Sequence, residues 1–206
     1  MVRIRLTPPF GRKVGRVAVG RLGDRVLELV EGEGVLEQTV RAVLRMRQEV
    51  VERIEELHRL VLATTKADPV CRRLMSVPGV GPLTALAYRT AVEDPSRFRK
   101  SSHLGAHFGL TPRKYASGEV DRHGHITRCG DRMARSLLCE AAMVLLARVQ
   151  RWSWLKRWGV QIAQRRGARR AQVAVARRLA VILHRIWVDG TEFCARREEI
   201  SRLSVA

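Results

Sequence analysis

A repeat of apolar residues between positions 36 and 61 constrains the fold of this chain more than any other feature. The residues follow one another in steps of four and three, and they are Leu36, Val40, Val43, Arg47, Val50, Ile54, Leu57 and Val61. This heptad seam, interrupted only by Arg47, predicts a helix with one narrow apolar stripe between charged faces. The stripe is expected to pack against one partner helix, either from the same chain folded back or from a second subunit. The sequence leaves both arrangements open.

The rest of the chain has the spacing of a mainly α fold. Apolar residues recur at helical intervals in PLTALAYRTAV, in RMARSLLCEAAMVLLARV after Asp131, and in a last helix after Gly167. The segment SSHLGAHFG predicts a further short helix with Ser101 or Ser102 as its N-cap. The tryptophans of RWSWLKRWG can stack on nucleic-acid bases, but their closeness to apolar helices is more typical of a core.

Residues 109–130 form the least helical stretch of the chain. Turn signals at Ser117-Gly118 and His123-Gly124 predict a loop or a short β-hairpin there. The expected fold is therefore mainly α, with a long coiled-coil-like helix followed by a compact helical domain that contains a helix-hairpin-helix-like turn and this serine-bearing hairpin or loop. The expected divisions are a basic N-terminal arm at 1–32, the coiled-coil-like helix at 33–67, the compact domain at 68–193 and a frayed tail at 194–206.

The charge balance indicates a polyanionic partner. The chain has 39 Lys and Arg against 20 Asp and Glu, a formal net charge of +19. Such an excess repels itself in a compact fold, and nucleic acid neutralises it with release of condensed counterions. Since the positive residues are interleaved with apolar ones, they belong to folded surfaces. No apolar run reaches the ~20 residues of a membrane span, and the N-terminus has no apolar signal core, so we expect a cytoplasmic, nucleoid-associated protein without membrane contact.

Neither the cysteines nor the histidines predict a metal site. Cys71, Cys129, Cys139 and Cys194 form no CxxC pair, and their spacing fits neither a zinc site nor a disulfide framework. His103 and His107 are four residues apart, but no acidic or thiol partner is near them in sequence.

Two basic or glycine-rich features are candidate nucleic-acid contacts. Val77-Pro78-Gly79-Val80-Gly81 lies between two helical segments, so Gly79, Val80 and Gly81 are candidate DNA-backbone contacts, although such turns also occur without a ligand. The predicted phosphate-positioning residues of the loop are Arg113, Lys114, Arg122, Arg128 and Arg132. The last helix carries a second basic surface of Arg169, Arg170, Arg177 and Arg178.

The segments VPGVGPLTALAYRTAVEDPSRF and GAHFGLTPRKYASGEVDRHGHITRCGDRMARSLLCEAA resemble the C-terminal domain of the IS110 family of insertion-sequence transposases, also named for its IS116 and IS902 members. The resemblance runs over residues 70–190 and ends in RLAVILHRIWVDGTEF. The heptad helix resembles the linker between the two halves of that family.

The resemblance implies a division of catalysis between two halves. The N-terminal half of the family is a RuvC-like domain whose acidic quartet binds divalent metal, and the C-terminal half carries a serine that joins covalently to DNA. By motif, that serine corresponds to Ser117 in Tyr-Ala-Ser-Gly. A structured bridge RNA guides the choice of DNA. From the residues alone, a Ser-Gly pair is also an ordinary turn, and no convincing base for a serine nucleophile is visible.

The acidic half is expected to be missing from this chain. Residues 1–32 are too few for it, and Asp24, Glu28, Glu31 and Glu33 crowd into ten positions. We therefore expect no metal or cofactor to be bound by this chain, with Mg²⁺ arriving only with an acidic domain supplied separately.

Three hypotheses follow. The first is a DNA-binding transposase fragment, incomplete by itself, in which Ser117 attacks a DNA phosphodiester under RNA guidance. The second is a catalytically inactive module that binds DNA or the guide RNA. In both, residues 36–61 pair with a second copy or with a full-length transposase. The third is a structural RNA-binding protein.

Overall fold

A computed structural model of the protein describes residues 14–117 and 120–196, without the side chains of 114–117 and 120–123. In these ranges the chain forms eight α-helices and one two-stranded antiparallel sheet, which confirms the predicted mainly α fold. The chain divides into two compact units, Met1–Arg59 and Leu60–Ala206.

The first unit contains helix α1 and most of helix α2. Helix α1 spans Leu22–Val30 and buries the side chains at its two ends. It lies in the segment for which the sequence predicted only a basic arm. Helix α2 spans Val35–Ala67 and continues into the second unit, so the predicted long helix is confirmed. Between the two helices, Gly32 and Gly34 have positive φ angles, a conformation that glycine adopts without steric cost.

The heptad seam of α2 is exposed along its middle. Val43, Val50, Ile54 and Leu57 are each between 57% and 60% accessible. Within the described part of the unit Met1–Arg59, no element covers the seam at these positions. The surrounding faces are charged and carry ion pairs along the helix, such as Arg41 with Glu37 at 2.7 Å.

The second unit is built around its last helix. Its helices are α3 (Pro69–Leu74), α4 (Pro82–Val92), α5 (Leu104–His107), α6 (Arg132–Ala147), α7 (Trp154–Arg166) and α8 (Ala168–Asp189). Helix α8 contacts α3, α5, α6 and α7. Its buried face alternates small and large side chains, namely Ala171, Val175, Ala176, Leu179, Ala180, Leu183 and Ile186. The small residues let neighbouring helices approach closely, and the larger ones fill the space between them.

Side-chain caps fix where three of these helices begin. Asp68 precedes α3 and accepts a hydrogen bond from the Val70 amide at 2.8 Å. In the same way Asp131 caps α6 through the Ala134 amide, and Ser153 caps α7 through the Lys156 amide. These bonds satisfy amide groups that have no partner inside the helix, and they stabilise each start by about 1 kcal/mol.

Asp68 also ties α3 to α4. Its Oδ2 lies 2.5 Å from Arg89 Nε, and the Cys71 thiol donates to the same oxygen at 3.5 Å. Burial, together with this carboxylate, raises the pKa of the Cys71 thiol to about 12, so it stays protonated at neutral pH. Cys71 is therefore a structural residue, not a nucleophile.

Two buried polar side chains connect α8 to the rest of the unit. The Tyr88 hydroxyl donates to the Ala180 carbonyl at 2.7 Å. The buried His184 ring contacts the Pro95 carbonyl through Nε2 at 3.0 Å and the Ser101 hydroxyl through Nδ1 at 2.9 Å. Because a carbonyl only accepts, Nε2 carries a proton, and in the neutral ring Ser101 donates to Nδ1. Ser101 therefore bonds to α8 and is not the predicted N-cap of a helix, since the caps in this segment use no side chain.

The turn between α3 and α4 is held against α6. Gly79 has a φ of +92°, and a Cβ built on it would lie 2.6 Å from the Ala141 carbonyl oxygen and 3.1 Å from the Leu145 amide nitrogen. Both atoms belong to the backbone of α6. Glycine is thus required at position 79 by backbone conformation and by close helix packing together. By contrast, a Cβ on Gly81 would meet nothing within 4 Å.

We predict that Gly79→Ala lowers the free energy of unfolding by about 1–3 kcal/mol, because the added methyl group forces α6 to move. Gly81→Ala is the matched control and is expected to change it by less than about 1 kcal/mol, since its φ is −94° and the space is open. Urea denaturation followed by circular dichroism measures both. Equal stability of the two variants would contradict the packing of this turn on α6.

Candidate nucleic-acid interface

The predicted serine-bearing hairpin is present. Strand β1 spans Pro112–Ser117 and pairs antiparallel with β2, Val120–Ile126. In the register, Ser117 lies opposite Val120 at the end of the hairpin, and Tyr115 lies opposite Arg122. The pairing is irregular between Pro112 and Lys114. The side chains of Ser117, Lys114 and Arg122 lie outside the described part of the chain, so their predicted roles stay predictions.

The base of the hairpin is fixed by contacts between two backbone segments, 107–111 and 127–131. The Thr127 amide donates to the Thr111 carbonyl at 2.9 Å, and the Arg128 amide donates to the Gly109 carbonyl at 3.1 Å. Gly109 and Gly130 both have positive φ, and a Cβ on either would collide with backbone of the opposite segment. These glycines allow the two segments to touch.

Arg135 holds this base to helix α6, a role that the sequence did not predict. Its Nη1 donates to the Cys129 carbonyl at 2.9 Å and to the Phe108 and Gly130 carbonyls at 3.4 Å. The guanidinium thus joins both backbone segments to the first turn of α6. The sequence signal for this role is that Arg135 lies next to the apolar positions of α6, and the structure shows that the neighbouring Ala134 and Leu138 are buried.

Three of the predicted arginines lie around this base with exposed side chains. Arg113 Nη2 donates to the Thr127 carbonyl at 3.3 Å, so its stem runs across the base. Arg128 has a left-handed backbone with a φ of +59°. Arg132 is the first residue of α6, whose first turn contains no acidic residue. Among the described residues none of the three forms an ion pair. Their guanidinium groups form a basic surface suited to an anion, although the start of α6 itself is capped by the Asp131 carboxylate.

A fourth arginine reaches the same surface from helix α8. A Cβ on Gly105 of α5 would lie 2.8 Å from Arg177 Cγ, 3.1 Å from Arg177 Cδ and 3.8 Å from Thr111 Cγ2. The stem of Arg177 therefore crosses α5 beside the hairpin base. Its neighbour Arg178 lies over the Trp154 ring, 5.8 Å from the centroid. The predicted second basic surface is therefore not continuous at these two residues, because Arg177 lies against α5 and Arg178 lies over Trp154.

The glycine turn at 79–81 is mostly part of the core. Val77 and Val80 are buried, and Gly79 faces α6. Gly81 is the N-cap of α4 and provides no side-chain cap, so the amides of the first α4 turn are the groups that this turn offers to an anion. DNA contact by Gly79, Val80 and Gly81 stays a prediction.

Other kinds of site have little support in the described residues. All four cysteines are free thiols. The described ranges contain no cluster of three or more His, Cys, Asp or Glu side chains placed to hold a metal ion. Within the same ranges, no helix has the length and apolar character needed to cross a membrane.

Comparison with known proteins places residues 71–158 in the transposase IS116/IS110/IS902 family. The chain is 38% identical over 133 residues to the transposase for insertion sequence element IS1111A of Coxiella burnetii, covering 64% of this chain and 36% of the relative. It is 32% identical over 148 residues to a putative transposase of Sinorhizobium fredii, covering 71% and 38%. It is 31% identical over 158 residues to the transposase for insertion sequence element IS1328 of Yersinia enterocolitica, covering 75% and 47%. The matches therefore span less than half the length of each relative.

Proposed function

Because the chain belongs to the IS116/IS110/IS902 family of transposases, we propose that it is the serine-bearing part of a DNA transposase and that its hairpin base binds a DNA phosphate. The observation that supports this most is that Arg113, Arg128 and Arg132 are all exposed at the base of the hairpin that ends at Ser117. The relatives are named as transposases, proteins whose substrate is DNA.

The local geometry suits a phosphate with two or more charged contacts. Arg113, Arg128 and Arg132 come from three different pieces of backbone that converge on one base, and the stem of Arg177 adds a fourth. Arginine donates in a planar fork that matches phosphate oxygens. The backbone contacts at Gly109 and Gly130 and the three bonds from Arg135 fix the backbone segments around the hairpin base from which Arg113, Arg128 and Arg132 extend.

The proposed reaction is attack of the Ser117 hydroxyl on a DNA phosphorus atom. The Oγ–phosphorus bond forms as a backbone P–O bond breaks, and the leaving DNA strand departs with the electron pair on its oxygen and then takes up a proton. The serine proton passes to a base, which Asp121, His123 or a separate acidic domain would supply. The arginines stabilise the charge that builds on the non-bridging oxygens.

No step of this reaction is assigned to a metal ion held by the described residues. The described residues do not fit a divalent cation, because they include no suitable cluster of carboxylate, imidazole or thiol groups. In the family resemblance Mg²⁺ belongs to the acidic domain, and a structured guide RNA directs the choice of DNA. We propose both as partners in trans on that resemblance.

The alternative is a catalytically inactive module that holds DNA or guide RNA. It requires only the exposed arginines at the hairpin base and no chemistry at Ser117. The arginine surface serves this function equally well, so Ser117 distinguishes the two proposals.

We predict that the wild-type chain forms a protease-sensitive covalent adduct with labelled DNA carrying insertion ends, in the presence of guide RNA, Mg²⁺ and a separately expressed acidic domain. Ser117→Ala is expected to abolish the adduct, because the attacking oxygen is gone. Ser136→Ala, which changes an exposed serine of α6, is the control and should retain it. Denaturing gel electrophoresis with and without protease measures the product.

The outcomes of this assay separate the proposals. An adduct that requires the acidic domain indicates a composite site. An adduct of equal yield in Ser117→Ala would contradict the role of Ser117. No adduct in any mixture, with DNA binding intact and a full-length relative active in parallel, would favour the binding module.

We also propose that the heptad seam pairs with the seam of a second copy or of a full-length transposase. Four of its side chains are exposed and lie between faces that carry ion pairs. This is the pattern of a coiled-coil helix, in which a narrow apolar stripe between charged faces packs against a partner helix. Burying these valine, isoleucine and leucine side chains against a second copy of the seam would lower the free energy, because it removes apolar surface from water.

For the isolated chain, we predict that Ile54→Asp or Leu57→Asp weakens dimerisation by at least about 100-fold, because an unpaired buried charge costs about 3 kcal/mol or more. Arg59→Gln changes the net charge by the same amount outside the seam and is expected to leave the dimer intact. Sedimentation equilibrium measures the dissociation constants. A wild-type chain that stays monomeric, or equal weakening by Arg59→Gln, would contradict self-pairing through the seam.

A further inference from the structure

A cavity of about 780 Å³ lies at the start of helix α7, beside helix α8. Its wall combines the three tryptophans of the RWSWLKRWG segment with three arginines: Trp152, Trp154, Trp158, Arg157, Arg178 and Arg196. No acidic residue of the described ranges lines it. Its volume is in the range of pockets that bind small organic molecules, which is enough for a nucleotide.

Part of this wall is rigidly held. The Trp154 indole N–H donates to the Cys194 carbonyl at 3.1 Å, and the Trp154 amide donates to the Ala195 carbonyl at 3.2 Å. The Trp154 ring also stacks with Phe193 at a centroid distance of 6.3 Å. These contacts fix the far side of the groove and keep Arg178 over the Trp154 ring.

Trp152 has a different position, because its side chain is 61% exposed. Lys156 Nζ lies over one face of its ring, 5.1 Å from the centroid, and donates to the Val149 carbonyl, so a base would stack on the opposite face. Leaving a tryptophan in water forgoes the free energy of burying a large aromatic surface. An exposed indole at the rim of a cationic cavity is therefore a platform for a planar group.

The charge of the wall selects among possible occupants. An apolar peptide or a neutral ring would gain from the tryptophans but would offer no anion to Arg157, Arg178 and Arg196. A nucleotide satisfies both, since its base stacks on an indole and its phosphate accepts from guanidinium groups. In a duplex the faces of the bases are covered by their neighbours, so only an unpaired base can stack on a side chain.

We propose that this groove binds an unpaired nucleotide of single-stranded nucleic acid, by stacking a base on Trp152 and holding its phosphate with the groove arginines. This second site does not rest on the transposase chemistry proposed for Ser117. Helix α8 contributes to both surfaces, since the stem of Arg177 lies at α5 beside the hairpin base and Arg178 lines the groove.

The test uses the full chain and its intrinsic fluorescence. Three of the four tryptophans line the groove, so occupation is expected to quench the emission. The probes are short oligothymidine and oligouridine strands, a duplex of the same length, and an abasic strand with the same number of phosphates. Comparing the thymidine and abasic strands removes the electrostatic contribution that the hairpin arginines make to any strand.

We expect Trp152→Ala to weaken binding of the oligothymidine or oligouridine strand by about 5- to 150-fold. This range corresponds to a base–aromatic stacking energy of about 1–3 kcal/mol. The abasic strand should bind wild type and variant equally. Arg157→Gln is expected to weaken both kinds of strand more than Arg185→Gln, an exposed arginine of α8 outside the groove. The two single strands show whether RNA or DNA is preferred.

Thermal unfolding controls for loss of structure, which is expected to be small because Trp152 is largely exposed. The proposal is overturned if folded Trp152→Ala binds every strand as tightly as wild type, or if the abasic strand binds wild type as tightly as the thymidine strand does. Ser117→Ala should leave all of these affinities unchanged, so failure here and failure of the serine chemistry can be told apart.

Discussion

The contact between backbone segments 107–111 and 127–131 determines where the candidate interface lies. Gly109 and Gly130 permit the segments to touch, and Arg135 joins their carbonyls to the first turn of α6. Since both strands of the hairpin leave the helical core from this contact, the direction of the hairpin follows from it. A side chain at either glycine would force the segments apart, and with them the arginines that surround the base.

The excess of positive charge both lowers the stability of the folded protein and favours binding of nucleic acid. The chain carries a net charge of +19, and Arg132, the first residue of α6, follows the Asp131 N-cap in a first turn that contains no acidic residue. Like charges gathered in this way reduce the stability of the protein alone and increase its affinity for a polyanion. The Arg–Trp pairs of the second unit, Arg178 with Trp154 and Arg89 with Trp187, show that several arginines also contribute to packing.

Local signals in the sequence predicted most of the fold. The heptad spacing predicted α2, Asp131 predicted the start of α6, and turn residues predicted the hairpin that ends at Ser117. The features that were missed depend on contacts between residues distant in sequence. From the sequence Gly79 was predicted to contact DNA, but in the structure it packs against the backbone of α6. Ser101 was predicted to be an N-cap, but its hydroxyl forms a hydrogen bond with His184. Arg135 and Arg177 acquire their places only when α5, α6 and α8 are packed together.

The salt dependence of DNA affinity tests the central claim, that the exposed arginines of the hairpin base bind DNA phosphates. If about 6–10 phosphates are engaged, wild-type affinity should fall by about 10³–10⁵ between 50 and 200 mM salt. Replacing Arg113, Arg128 and Arg132 together with Gln should reduce the slope of log affinity against log salt by about 2–3, close to 0.9 for each lost contact, with Arg185→Gln as the control for a single charge. An unchanged slope in the triple variant, or a loss per arginine no larger than that of Arg185→Gln, would contradict the account.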